Sequence, residues 1–138
     1  MKKVTGIGGI FFKSSDPQKS RDWYKENLGF KTDEYGSLFE FRHADNPEIK
    51  GHTQWSPFKK DTDYFEPSQK EFMLNFRVEN LEELAKELVA NGVVICDEIA
   101  TYDYGKFLHI MDNDGNKIEL WEPVDTVFTN EYVGKTTK

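Results

Sequence analysis

Cysteine is nearly absent: Cys96 is the single one among 138 residues. No internal disulfide can form, and zinc sites built on two or more thiolates are excluded. Long hydrophobic runs are missing too, with nothing near the roughly 18 apolar residues of a membrane-spanning helix. Basic residues are in deficit, since 18 Lys and Arg against 25 Asp and Glu leave a net charge of −7. That balance argues against nucleic acid, whose phosphate backbone calls for a positive stripe. Hydrophobic residues make up only 37% of the chain, yet 14% of all residues are aromatic, which sets it apart from disordered chains. The MKK opening carries the charge of a secretion signal, but Lys13 interrupts the uncharged run and no small-residue cleavage site follows. The expectation is a folded, acidic, cytoplasmic protein with no membrane partner.

What is present is an internal repeat. GIFFKSSDP around Phe12 matches MLNFRVENL around Phe76, and Leu28-Gly29-Phe30 matches Asn91-Gly92-Val93. Further on, YGSLFEF from Tyr35 matches YGKFLHI from Tyr104, and WSP at Trp55 matches WEP at Trp121. Four matches in one order, at offsets drifting by only a few residues, point to duplication of a module.

Each module reads as β-α-β-β-β. In the second, Asn80 with Glu83 forms a capping-box pattern, and Leu81, Leu84, Ala85, Leu88 and Val89 make one helical stripe ended by Asn91-Gly92. In the first, Asp16 caps, Pro17 takes the first helical position and Gly29 ends the helix. Strand-like runs follow each helix: TDEY, SLFEFR and HTQW, then VVICDE, KFLHIM and KIELW. The expected fold is α+β, two tandem modules forming a curved eight-stranded mixed sheet around a cavity, helices outside. A single domain spans 1–124, with module one at about 6–57, a linker at about 58–70 and module two at about 71–123. Residues 125–138 read as a polar, mobile extension.

Strand alternation sorts the side chains. Phe72, Leu74, Phe76 and Val78 face the helix, leaving Met73, Asn75 and Arg77 for the cavity. Ile118 and Leu120 likewise pack on the helix, while Glu119 and Trp121 face the cavity. Through the repeat, Gly9, Phe11 and Lys13 join that face, as do Thr53 and Trp55. One residue breaks the pattern: polar Gln54 falls where the counterpart of Leu120 should be apolar.

The two-fold plan, the run D-P-x-K-S-x-x-W-Y-x-x-x-L-G-F from Asp16 and the closing D-N-D-G-N-K-I-E-L-W-E-P from Asp112 resemble the vicinal oxygen chelate superfamily. Its members include glyoxalase I, bleomycin-resistance proteins and extradiol dioxygenases. The resemblance spans about Gly6 to Pro123. It implies metal ligands on the first and last strand of each module, which here are Gly9, Thr53, Met73 and Glu119. Only Glu119 suits a hard cation, so no metal is expected, with Ni, Zn, Mn or Fe left open through other residues.

Those other residues are few. His43 lies in a turn-like HADNP stretch and reads as solvated; alternation turns His52 away from the cavity. His109 matches Glu40 across the repeat, and both could converge with Glu119, or instead sit in polar pairs with Arg77 or tyrosines. Arg77, if inward, needs a carboxylate from a ligand or from Glu119. Trp55 and Trp121 either sandwich a flat ligand or plug the cavity as core, with Tyr64, Phe65, Tyr102 and Tyr104 as rim. GIGGIF is not a dinucleotide loop, because its third glycine would fall at Phe11. DNDGNK reads as a tight turn rather than a calcium loop, and Cys96 as a packed strand residue.

Two functions follow. The resemblance to the bleomycin-resistance branch implies a metal-independent protein that binds a small organic molecule in an aromatic cavity, a cationic one suiting the −7 charge. The resemblance to glyoxalase implies a lyase or isomerase in which Glu119 abstracts a proton next to a carbonyl, with Arg77 or His109 stabilising the oxygen. A dioxygenase is disfavoured, since its iron needs two His and a carboxylate. The resemblance also allows a homodimer, which nothing in the sequence decides.

Overall fold

The computed structural model describes residues 3–138. The elements run β1 (Val4–Ser14), α1 (Pro17–Leu28), β2 (Ser37–Arg42), β3 (Lys50–Lys59), β4 (Phe72–Val78), α2 (Leu81–Ala90), β5 (Ala100–Tyr102), β6 (Gly105–Met111), β7 (Lys117–Pro123) and α3 (Asp125–Glu131). Helix termini follow the local signals. The Asp16 side chain accepts from the Lys19 N–H at 3.1 Å, and Gly29 closes α1 at φ 72°. The Asn80 side chain accepts from the Glu83 N–H at 3.2 Å, and Gly92 takes φ 77° just past α2. Glu122 of β7 adds a cap from outside, accepting the Leu81 N–H at 2.8 Å.

The strands form one open mixed sheet in the order β2-β3-β1-β4-β7-β6-β5. β1 and β4 pair antiparallel at its centre, and each pairs in parallel with the last strand of its own half, β3 and β7. Within the described residues the sheet has seven strands, not the expected eight. The TDEY run is a turn, because the Asp33 carboxylate accepts the N–H groups of Tyr35 and Gly36 at 2.8 and 3.2 Å. VVICDE contributes only a bridge between Ile95 and Ile110, and the strand there is Ala100–Tyr102. The Asp97 side chain accepts the His109 N–H at 2.8 Å, standing in for a ladder partner and ending the pairing.

One face of the sheet carries α1 and α2. Leu81 and Leu84 of α2 pack on Val78, Leu108, Ile110 and Leu120, with Phe76 and Ile118 alongside. Under α1 the packing is aromatic, with Trp55 against Phe12, Tyr24 and Phe30 at 4.6 to 5.5 Å between ring centres.

The opposite face is partly covered by two segments expected to be polar. In 58–70, Phe65 is buried with Phe11 and Met73. Residues 125–138, expected as a mobile extension, fold back: the Thr137 N–H donates to the Leu38 carbonyl at 2.8 Å, and Phe128 of α3 packs edge-on against Trp121 at 5.5 Å. The segment has its own apolar spacing, Val124, Val127, Phe128 and Tyr132, which is a helical stripe.

Candidate functional site

Between the sheet and α3 lies a cleft of about 610 Å³. β1 supplies Phe11, β4 supplies Asn75, β7 supplies Glu119 and Trp121, and α3 supplies a wall including Phe128, with Tyr132 just beyond its end. In all, nine aromatic side chains line it.

Glu119 is buried on the cleft floor and accepts three hydrogen bonds. Asn75 Nδ2 donates to Oε1 at 2.7 Å; Tyr64 Oη and His109 Nε2 both reach Oε2, at 2.5 and 2.7 Å. The other ring nitrogen of His109, Nδ1, sits 2.6 Å from Asp97 Oδ2. Burial opposes a charge on His109, but the hydrogen bonds to Glu119 and Asp97 outweigh it and raise its pKa above the usual 6.5. Burial, reinforced by the Glu119 charge, pushes the Tyr64 phenol well above its ordinary value.

A second polar cluster lies beneath the start of α3. Arg77 is only 2% exposed. Its Nη2 donates to Asp125 Oδ2 at 2.5 Å, its Nη1 to the His52 carbonyl at 3.2 Å, and its guanidinium rests over the Phe41 and Trp121 rings. His43 Nε2 lies 3.3 Å from the same Asp125 oxygen, and His52 Nδ1 lies 3.9 Å from Oδ1. Burial would raise the Asp125 pKa, but the His52 ring and the Arg77 guanidinium hold it down at about 2.

The structure thus separates the expected site residues. Phe11, Asn75, Glu119 and Trp121 line the cleft. His109 stands behind Glu119. Met73 is fully buried under Phe11 and Phe65 and does not reach the cleft wall. Arg77 points to the tail, its carboxylate coming from Asp125 and not from Glu119 or a ligand. Glu40 does not converge with His109; it pairs with Lys50 and Lys138 at 3.4 and 3.5 Å. His43 is held by the Asp125 cluster instead of solvent, and His52 is buried beside Phe128 on the side from which alternation had excluded it. Tyr64 and Tyr104 line the cleft, whereas Phe65 is core and Tyr102 stacks on Tyr104.

The correction at Thr53 and Trp55 has one cause. Register places Gly9 beside Gln54 and Asn75, and Asn75 beside Glu119. Gln54 and Ser56 therefore face the cleft, while Thr53 bonds the Ile7 carbonyl at 2.6 Å and Trp55 is core under α1. The shared W-x-P letters are not structural equivalents, and the misplaced polarity of Gln54 was the signal. Asp97 and Asp125 carried no comparable signal, because each acquires its role only through a distant partner.

The family model of the Glyoxalase/Bleomycin resistance protein/Dioxygenase superfamily matches residues 6–120. The chain belongs to this superfamily. No curated protein matches the sequence. Among solved structures, a variant of Streptomyces coelicolor methylmalonyl-CoA epimerase in complex with 2-nitronate-propionyl-CoA aligns at TM-score 0.64 and 15% identity, over 88% of this chain and 99% of that one. A Mycobacterium tuberculosis methylmalonyl-CoA epimerase aligns at 0.58 and 20% identity, over 94% and 95%. The Mn(II)-bound glyoxalase from Novosphingobium aromaticivorans aligns at 0.58 and 14% identity, over 88% of this chain and 40% of that one. At these identities the likeness is one of fold.

Superfamily members that use a metal raise the question of fit. The strand row that crosses the cleft is Gly9, Gln54, Asn75 and Glu119, so it offers two amides, one carboxylate and a position with no side chain. A Cβ at Gly9 would stand 2.6 Å from the Phe11 ring, which fills that space. Both Glu119 oxygens are already engaged. Among the described residues, no three His, Cys, Asp or Glu side chains are arranged to hold an ion. This donor set does not fit a tightly held divalent metal.

Proposed function

We propose that this protein binds a small organic molecule in the aromatic cleft, without the metal used by some of its relatives. The observation that carries the reading is the floor itself: a buried carboxylate saturated by three donors, set among nine aromatic side chains. Aromatic walls supply affinity through apolar area and ring stacking, while a few fixed polar groups set orientation.

Metal content tests this. Protein purified without chelator and then dialysed against Ni, Zn, Mn and Fe(II) should retain far less than one equivalent by mass spectrometry. Stoichiometric metal would overturn the reading.

One observation favours a second reading, a lyase or isomerase acting next to a carbonyl. His109 bridges Glu119 to Asp97, whose side chain is 43% exposed. That chain of contacts links the cleft floor to solvent, so a proton taken up by Glu119 has a route out. Exchange of the α-proton of a carbonyl substrate with deuterated water separates the two readings: an enzyme catalyses it and loses it in Glu119→Gln, whereas a binder shows none in either form.

A further inference from the structure

We propose that the occupant of this cleft is an organic cation, a protonated amine or amidine carried on a flat apolar body. The inference deepens the binding reading above and rests on it.

Charge is the first ground. Three carboxylates line the cleft, Asp103, Glu119 and Glu131, and among the described residues no Lys, Arg or His does. His109 does not cancel them, because it is shared between Glu119 and Asp97. The Lys117 ammonium donates to the Tyr64 carbonyl at 2.7 Å and is not part of the lining. Aromatic faces add to the negative potential and attract cations. A coenzyme A ester, the ligand in the Streptomyces epimerase complex, carries several phosphate charges and would meet only repulsion here.

Hydrogen-bond polarity is the second, independent ground. Five side-chain donor groups of the lining are spent on protein acceptors, which leaves the exposed Tyr35 and Tyr104 hydroxyls at the rim. Tyr64 Oη and Asn75 Nδ2 donate to Glu119, Trp121 Nε1 to the Tyr104 carbonyl at 3.1 Å, and Ser56 Oγ to the Tyr35 carbonyl at 2.6 Å. Gln54 Nε2 lies 3.0 Å from Ser56 Oγ. On the buried floor an acceptor remains: Asn75 is 2% exposed and its Oδ1 has no partner among the described residues. Turning the amide over would set Oδ1 against Glu119, so the contact with Glu119 fixes which end is left. Oδ1 stands over Gly8, where a Cβ would approach to 2.2 Å, and both Gly8 and Asn75 belong to the cleft lining. A buried unpaired acceptor is costly, and a ligand N–H would relieve it. Anions and donor-free molecules would not.

The test uses three matched probes titrated by calorimetry at low salt: 2-naphthylmethylamine, which is protonated at pH 7, neutral 2-naphthylmethanol and anionic 2-naphthylacetate. The cation should bind at least about tenfold tighter than the alcohol, the size of one charge-assisted contact plus cation–π attraction, and the acid weakest. Glu131→Gln and Asp103→Asn should each reduce the cation's affinity several-fold and leave the alcohol unchanged. Asn75→Ala should erase most of the advantage of the amine. If the alcohol or the acid binds as tightly as the amine, binding stands and the cation inference falls. If none of the three binds, both the inference and the binding reading fall.

Discussion

Replacing Asp125 by Asn should cost stability through a residue 48 positions away. Arg77 is 2% exposed and Asp125 is the one carboxylate on its guanidinium among the described contacts, at 2.5 Å. Removing one partner of a fully buried pair costs about 3–5 kcal/mol. Asparagine keeps an acceptor and Asp125 keeps 17% exposure, so about 2–3 kcal/mol is expected here. The carboxyl's own titration supplies a second figure. Its pKa falls from 3.8 to about 2 on folding, which is again on the order of 2–3 kcal/mol. The sign is that of a depressed acid: the contribution is present above pH 3.8 and is lost as pH falls towards 2. Urea unfolding of both proteins at pH 7 should therefore show a gap of about 2–3 kcal/mol, or roughly 6–12 °C in Tm. The gap should close between about pH 4 and pH 2. Faster amide hydrogen exchange across 125–138 should accompany it, since α3 is what the pair pins down. A gap under about 0.5 kcal/mol at pH 7, the scale of an ordinary surface substitution, would refute the reasoning.

The two tryptophans should part company. Trp55→Ala removes a side chain packed among Phe12, Tyr24 and Phe30 and should cost about 3–5 kcal/mol in urea unfolding, with naphthyl-probe affinity unchanged. Trp121→Ala should weaken the probe several-fold, and equal binding losses in both variants would contradict the register assigned to β3. The His109 contacts predict a pH slope of the opposite hand to that of Asp125. A raised folded pKa stabilises fully below the unfolded value of 6.5 and is lost as pH rises through the folded value. Urea midpoints should fall as pH rises above 6.5, and His109→Gln should flatten that fall; an unchanged slope would show that His109 is not charged in the fold.

Much of this protein is readable locally. Asp16, Pro17 and Gly29 bracket α1 because capping depends on a residue and its near neighbours. Alternation in FMLNFRV and KIELW assigns Asn75, Glu119 and Trp121 to one face and Phe76, Ile118 and Leu120 to the other, since pleating alone sets that choice. It fails in HTQWSP. There a one-residue register step reverses every side chain, and the polarity of Gln54, not the shared letters W and P, marks the cleft face. The eighth strand, expected at TDEY and absent from the sheet, has a similar origin, with Asp33 able to alternate in a strand or to close a turn on Tyr35 and Gly36.

By itself, then, the sequence determined two helices with their caps, the faces of β4 and β7, an acidic aromatic composition and a single hard-ligand position at Glu119. Only the tertiary structure decided what each charged group meets: Arg77 with Asp125, His109 between Glu119 and Asp97, Tyr64 on Glu119, and a tail helix closing the cleft. Helix caps and strand faces are set by neighbours a few residues away. The burial of a charge is settled by whichever distant segment arrives to pair with it, and no local pattern encodes that arrival.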